Sequence, residues 1–271
     1  MNYISFYFET TNADLSGQLV ALLSEQGFEG FEETDQYLKA FVKEDIFDET
    51  SFKMIETLYP TLTLRKKVVE NINWNKQWEE NFTPIMVDDF VAVRAAFHQP
   101  ISKTQHEIVI TPKMSFGTGH HATTYLMIEQ MQHLDFSGKT VLDFGTGTGI
   151  LAILAEKLGA AKILAIDNDE WSITNANENI AQNNCDKIVV RQHNTIPGGE
   201  KYDIILANIN LNVITDNLPA IFSVTGVGCH VLFSGFLTTD EMALQADVKA
   251  VGLKSVVTVQ KGNWIVISAV K

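Results

Sequence analysis

Two successive patterns of strand and helix predict an α/β protein of two units. Over residues 1–70 the order reads βαββαβ, that of a small ferredoxin-like α+β unit. From Lys139 onward strands and helices alternate until a last pair of strands separated only by "KGN". That alternation means a mostly parallel, Rossmann-like sheet covered by helices on both faces, here of seven strands ending in a hairpin with one antiparallel member.

The elements follow in order. Residues 3–9 alternate as a strand, and Leu15, Leu19, Leu22 and Leu23 recur at helical spacing until Gly27 stops the helix. An apolar segment near 28–32, a strand over 37–43, a helix over 48–58 and a strand over 61–69 complete the first unit, which carries no catalytic constellation. Residues 71–100 read as a linker region in which Trp74 and Trp78, four apart, share one helical face as a packing staple. The second unit is placed at 101–271. Its strands are expected near 139–144, 162–167, 187–192, 201–207, 229–234, 253–260 and 264–270, with a helix in the gap before each of the first six.

Composition narrows the partners. With 33 acidic and 20 basic residues the formal net charge is −13, which repels a polyphosphate backbone and favours a basic protein or a small molecule, with no direct nucleic-acid binding. Two cysteines, Cys185 and Cys229, are too few for a disulfide framework and read as small core residues. The N-terminus lacks a positively charged leader, and no run of 18 apolar residues occurs. These features predict a soluble cytoplasmic protein with no membrane partner.

The tetrapeptide FGTG occurs twice, at Phe116 and at Phe144, in different settings. The second copy ends an apolar strand and opens a helix: Gly145, Gly147 and Gly149 allow a sharp turn that brings bare main-chain N–H groups to a ligand at a helix N-terminus. Asp167 closes the next strand, where a carboxylate can accept both hydroxyls of a ribose. A dinucleotide fingerprint would need a third glycine where Ile150 stands, so NAD is disfavoured. Asp143, two residues before the loop, suits a cofactor bearing an ammonium group. The run D-x-G-x-G-x-G with seven strands and a terminal hairpin resembles the S-adenosyl-L-methionine-dependent methyltransferases.

The first copy, Phe116, Gly117, Thr118 and Gly119, precedes the sheet and is read as a flexible arm over the mouth of the site. It leads into a helix whose Leu126, Met127, Met131 and Leu134 face a core, with Thr124 in its first turn placed to donate a hydrogen bond to the cofactor. His120 and His121 are adjacent, which does not suit chelation of one metal from a helix, so no metal is expected; His121 is a candidate for substrate or cofactor contact. Asn208 ends the strand "YDIILAN" on the same rim as Gly145 and Asp167, where its amide oxygen can hold an attacking amine.

These pieces in this order resemble the ribosomal protein methyltransferase family PrmA, which modifies protein eleven of the large ribosomal subunit. The resemblance runs from about Trp74 to the end, on the arm Phe116 to Thr124, the loop Asp143 to Gly149, Asp167, the A-N-I turn Ala207 to Ile209, the S-G turn at Ser234 and Gly235, and Trp264 in the last hairpin. The family's D-P-G-x-A before the arm is replaced by Thr111 to Ser115, and its proline after the A-N-I turn by Val213. The resemblance implies cofactor-site roles for Thr124, Gly145, Asp167 and Asn208 and recognition of the ribosomal protein by the N-terminal unit. It implies methyl transfer to a lysine side chain or an N-terminal α-amine. Methylation of another protein or a small molecule, and a non-catalytic ribosome-binding module, are the rival readings.

Overall fold

The computed structural model describes residues 3–34, 36–60, 62–69, 82–112 and 120–271. The chain divides into two compact units, 1–81 and 82–271. Trp74 and Trp78 lie outside the described residues.

The first unit runs β1 (Tyr3–Glu9), α1 (Ala13–Glu25), β2 (Phe28–Glu33), β3 (Tyr37–Lys43), α2 (Glu49–Leu58) and β4 (Leu64–Val69). Asn12 caps α1 by accepting the N–H groups of Asp14 and Leu15 at 2.9 and 3.2 Å. The four strands pair antiparallel in the order β2-β3-β1-β4. Alternate residues of β1, namely Ile4, Phe6 and Phe8, point into the core, where the Phe6 ring lies 4.3 Å from Phe52 of α2 and 5.5 Å from Phe28.

The second unit opens with β5 (Ile85–Val87), β6 (Val91–Ala95) and β7 (His106–Ile110), a three-stranded sheet in that order. Residues 82–100, expected to belong to a linker, therefore carry two strands of this unit. The reason is burial: Val91 to Ala95 are all buried, and Arg94 among them is neutralised by a two-pronged pair with Glu107 at 2.8 and 3.0 Å. That guanidinium holds the Glu107 carboxyl below its ordinary value. After α3 (Ala122–Met131) come β8 (Thr140–Phe144), α4 (Ile150–Lys157), β9 (Lys162–Asp167), α5 (Glu170–Gln182), β10 (Ile188–Gln192), β11 (Tyr202–Asn208), α6 (Leu211–Val224), β12 (Thr225–Leu237), a 3-10 turn (Thr238–Asp240), α7 (Glu241–Ala250), β13 (Lys254–Lys261) and β14 (Trp264–Val270).

The seven strands order as β10-β9-β8-β11-β12-β14-β13, parallel except β14, which is antiparallel to both neighbours. Period-2 alternation sorts their side chains onto two cores. Val141, Ile163, Ile204 and Leu232 pack with α3, α4 and α5, whereas Leu142, Leu164, Ile205 and Val231 pack with α6 and α7. One expected helix is missing: residues 193–201 between β10 and β11 form bends, because Pro197, Gly198 and Gly199 interrupt any helical run. The strand order reverses between β8 and β11, and at such a switch point a crevice opens at the carboxyl ends of the strands.

Candidate functional site

That crevice is a cavity of about 520 Å³. Its floor is the turn from β8 into α4. The N–H groups of Gly145 and Thr146 both donate to the Ile166 carbonyl, at 2.9 and 3.0 Å, which fastens the turn to β9. Gly145 has φ +76°, and a Cβ there would lie 2.0 Å from Ile209 Cγ2, so only glycine fits without displacement. Gly147, at φ +53°, donates its N–H to Asp167 Oδ2 at 2.9 Å. The other oxygen of Asp167 accepts the Asp169 N–H at 3.1 Å. A carboxylate offers about four lone-pair sites, so this one is held at both oxygens and still has acceptor capacity facing the cavity.

The opposite wall is built from β11 and α3. Asn208 ends β11 and its Nδ2 donates to Thr124 Oγ1 at 3.4 Å, while its Oδ1 is buried and has no hydrogen-bond partner. Thr124 is itself buried in the first turn of α3, which His121 caps by accepting the Thr123 N–H at Nδ1, 3.3 Å away. The His121 ring meets Trp264 edge to face at 4.4 Å, and both line the cavity. Among the described residues that line the cavity, Asp167 is the one carboxylate and none is Lys or Arg.

The structure thus brings Thr124, His121, Gly145, Gly147, Asp167 and Asn208 together around one cavity. It does not place Asp143 or Gly149 in the lining. Asp143 is buried behind the turn, its Oδ2 accepting the Thr146 hydroxyl at 2.6 Å, so it braces the loop. Burial pushes its carboxyl up to about 7, with repulsion from Asp167 adding and the Thr146 hydroxyl opposing. Gly149 is the N-cap of α4 at φ +81°, a left-handed conformation that favours glycine, and faces Ala176 of α5 at ordinary contact distance. Phe116, Gly117, Thr118 and Gly119 lie outside the described residues.

Sequence reasoning missed several neighbours. Asn168, His193 and Asn194, from the loops after β9 and β10, and Ser172, in the first turn of α5, line the Asp167 side of the cavity. Behind the site, Asn179 of α5 is fully buried and joins two segments: its Oδ1 accepts the Thr111 N–H at 2.8 Å and its Nδ2 donates to the Thr148 carbonyl at 2.8 Å. The end of β7 and the glycine turn are thereby fixed to one side chain. Among the described residues no group of three or more His, Cys, Asp or Glu could hold a metal ion.

Comparison with known proteins decides the family. The family described as "Ribosomal protein L11 methyltransferase (PrmA)" matches residues 11–271. The chain belongs to this family. A protein named ribosomal protein L11 methyltransferase from Porphyromonas gingivalis is 40% identical over 278 residues, covering 97% of this chain and 96% of its own. Another of that name from Phocaeicola vulgatus is 37% identical over 273 residues, covering 97% of each. Among solved structures, a ribosomal protein L11 methylase from Lactobacillus delbrueckii subsp. bulgaricus is similar with a TM-score of 0.65 and 30% identity, over 69% of this chain and 98% of that one. Of the stretch Phe116 to Thr124, the described residues His121, Thr123 and Thr124 line the cavity.

Proposed function

We propose that this chain transfers methyl groups from S-adenosyl-L-methionine to amines of ribosomal protein L11, at a lysine side chain or an N-terminal α-amine. The observation that carries the reading is the buried, unpartnered Oδ1 of Asn208 in a cavity whose other wall presents the Asp167 carboxylate. A buried amide oxygen without a partner costs free energy unless a ligand's donor meets it. An amine N–H is such a donor.

The residues present fit the methyl donor. Asp167 has acceptor capacity left for the two ribose hydroxyls, the turn at Gly145 to Gly147 lets main chain approach closely, and Asn168, His193 and Asn194 are polar groups on the same side. When bound, S-adenosyl-L-methionine supplies a methyl group on a sulfonium, an electrophile for a neutral amine. Asn208 Oδ1 accepts one N–H of the acceptor and so directs its lone pair into the cavity. Thr124 holds the Asn208 amide in that orientation. Among the described residues the wall around Asn208 carries no carboxylate to keep the amine as an ammonium, and Ile209, Val213 and Trp264 desolvate it, which favours the neutral nucleophile. Orientation of this kind supplies up to about 7–11 kcal/mol in well-aligned reactions.

The N-terminal unit is assigned to recognition of the protein substrate, and the net charge of −13 suits a basic ribosomal protein and disfavours direct contact with nucleic acid. No helix among the described residues is long and apolar enough to cross a membrane, in keeping with action in the cytoplasm on a ribosomal protein. Mass spectrometry of L11 after incubation with the enzyme and S-adenosyl-L-methionine tests the reading: methyl increments on lysine or the N-terminus are expected, and an unmodified L11 beside a bound methyl donor would reject it.

A further inference from the structure

The main chain of Asn208 is held in the β11–β12 ladder, opposite Ser234, but the orientation of its amide depends on a long contact, Nδ2 donating to Thr124 Oγ1 at 3.4 Å. A hydrogen bond of that length is near its limit, so a small shift of Thr124 breaks it and lets the amide exchange its oxygen for its NH2. Thr124 sits in the first turn of α3, and helix ends fray. The terminal hairpin grips this turn twice. Lys261 of β13 and Trp264 of β14 are cross-strand partners and point to one side of the sheet. His121 and Tyr125 stand one helical turn apart. The His121 ring meets Trp264 edge to face at 4.4 Å, and Lys261 Nζ lies 3.3 Å from the centre of the Tyr125 ring. His121 also closes the turn from within: its Nδ1 accepts the Thr123 N–H at 3.3 Å and lies 2.8 Å from the Thr123 hydroxyl, and its carbonyl accepts the Thr124 N–H at 3.1 Å.

We propose that His121 is a positioning residue of the methyl transfer: together with the Tyr125–Lys261 contact it clamps the first turn of α3 to the terminal hairpin, and through Thr124 it keeps Asn208 Oδ1 turned to the acceptor amine. The inference rests on the reading of Asn208 above and deepens it. It gives His121 a part in rate through its neighbours, in place of direct contact with substrate or cofactor. It gives a part in rate also to Lys261, an exposed residue of the hairpin. The two grips flank Thr124 in sequence, so loosening one of them lets the turn pivot about the other, and the long bond to Asn208 is the first to break.

The test uses the full chain in single-turnover methyl transfer to L11, with calorimetry for S-adenosyl-L-methionine. His121→Ala should lower the rate roughly tenfold, as a slightly misplaced reacting group does, and leave the dissociation constant for S-adenosyl-L-methionine nearly unchanged. His121→Asn keeps a side-chain cap and should recover part of the loss. Lys261→Met should lower the rate about threefold, the scale of one exposed cation–π contact, and Lys261→Arg should restore it. Because Lys261 is exposed, its variants keep the test open if His121→Ala does not fold. Both losses should vanish in an Asn208→Ala background, where the clamp has no amide left to orient. Losses that persist there in full, or a dissociation constant that rises as much as the rate falls, would mean that these residues touch the reactants themselves, and the positioning role is overturned. An unchanged rate in both His121→Ala and Lys261→Met overturns it as well. If Asn208→Ala alone keeps the full rate, the reading of Asn208 falls and the clamp with it.

Discussion

The main-chain N–H of Gly147 donates to Asp167 Oδ2 at 2.9 Å, so the glycine turn and the carboxylate at the end of the neighbouring strand are one unit. Replacing Asp167 therefore does two things: it removes the acceptor proposed for ribose hydroxyls and releases the turn. Asp167→Ala is expected to weaken S-adenosyl-L-methionine binding by roughly 1.5–3 kcal/mol for each charge-assisted hydrogen bond lost. Titration calorimetry on a variant with an intact melting transition measures it. An unchanged dissociation constant would show that the carboxylate serves the turn alone.

Gly145 faces Ile209, the residue after Asn208, and a Cβ would overlap Ile209 Cγ2. Gly145→Ala should destabilise the second unit by about 1–3 kcal/mol through overpacking, with a further cost from φ +76°. Ile209→Ala in the same chain should recover the overpacking part and leave the backbone part. A double-mutant cycle in urea separates them, and strict additivity would contradict the contact.

Asp143 gives a pH dependence with a definite sign. Its carboxyl, raised from 3.8 to about 7 in the folded chain, binds a proton there that the unfolded chain has already released. Stability from this group is full below the unfolded value and is lost as pH rises from about 4 to about 7, on the order of a few kcal/mol. Asp143→Asn retains an oxygen for the Thr146 hydroxyl and cannot ionise. The variant should be more stable than the parent at pH 8 and about equal at pH 4. Equal stability of the two at both pH values would place the proton elsewhere.

Much of this site is written in the local sequence. The glycine turn, Asp167 and Asn208 all fall at strand ends that alternation marks, so the doubly wound topology alone carries them to one rim. What escaped is non-local or aperiodic. Asp143 follows Val141 on the face covered by α3 and α4, so strand alternation turns it into the core, a burial that its place beside the turn does not announce. The helix expected between β10 and β11 extrapolated a rhythm past Pro197, Gly198 and Gly199. Two short strands near 85–95 were hidden by their length and by the buried Arg94, whose partner Glu107 lies in another strand. Asn179 looks like any polar residue of an Asn-rich helix until Thr111 and Thr148 are placed beside it.

Asn179 supplies a third stability test. Asn179→Leu keeps the volume approximately and strips partners from the Thr111 N–H and the Thr148 carbonyl, each about 1–3 kcal/mol when left buried and unpaired. Amide exchange at Thr111 should accelerate more than exchange in the central strands. Uniform acceleration would mean that the residue supports the whole unit and not the join between β7 and the turn.

Asn208 tests the chemistry itself, and the comparison with aspartate is the informative one. Asn208→Ala removes the acceptor proposed for the amine but not the Asp167 side of the cavity, so kcat should fall by roughly 10²-fold, the scale of a misplaced reacting group, and by more than the affinity for S-adenosyl-L-methionine. Asn208→Asp keeps an oxygen in place and adds a charge. A carboxylate there stabilises the ammonium form of the acceptor, which has no lone pair to attack with. The aspartate variant should be slow at neutral pH and recover as pH rises, whereas the alanine variant should stay slow across the range. Single-turnover methyl transfer to L11 between pH 7 and pH 10 distinguishes them. Parallel profiles for the two variants would mean that Asn208 does not set the protonation state of the amine, and its neutral amide would then need another explanation.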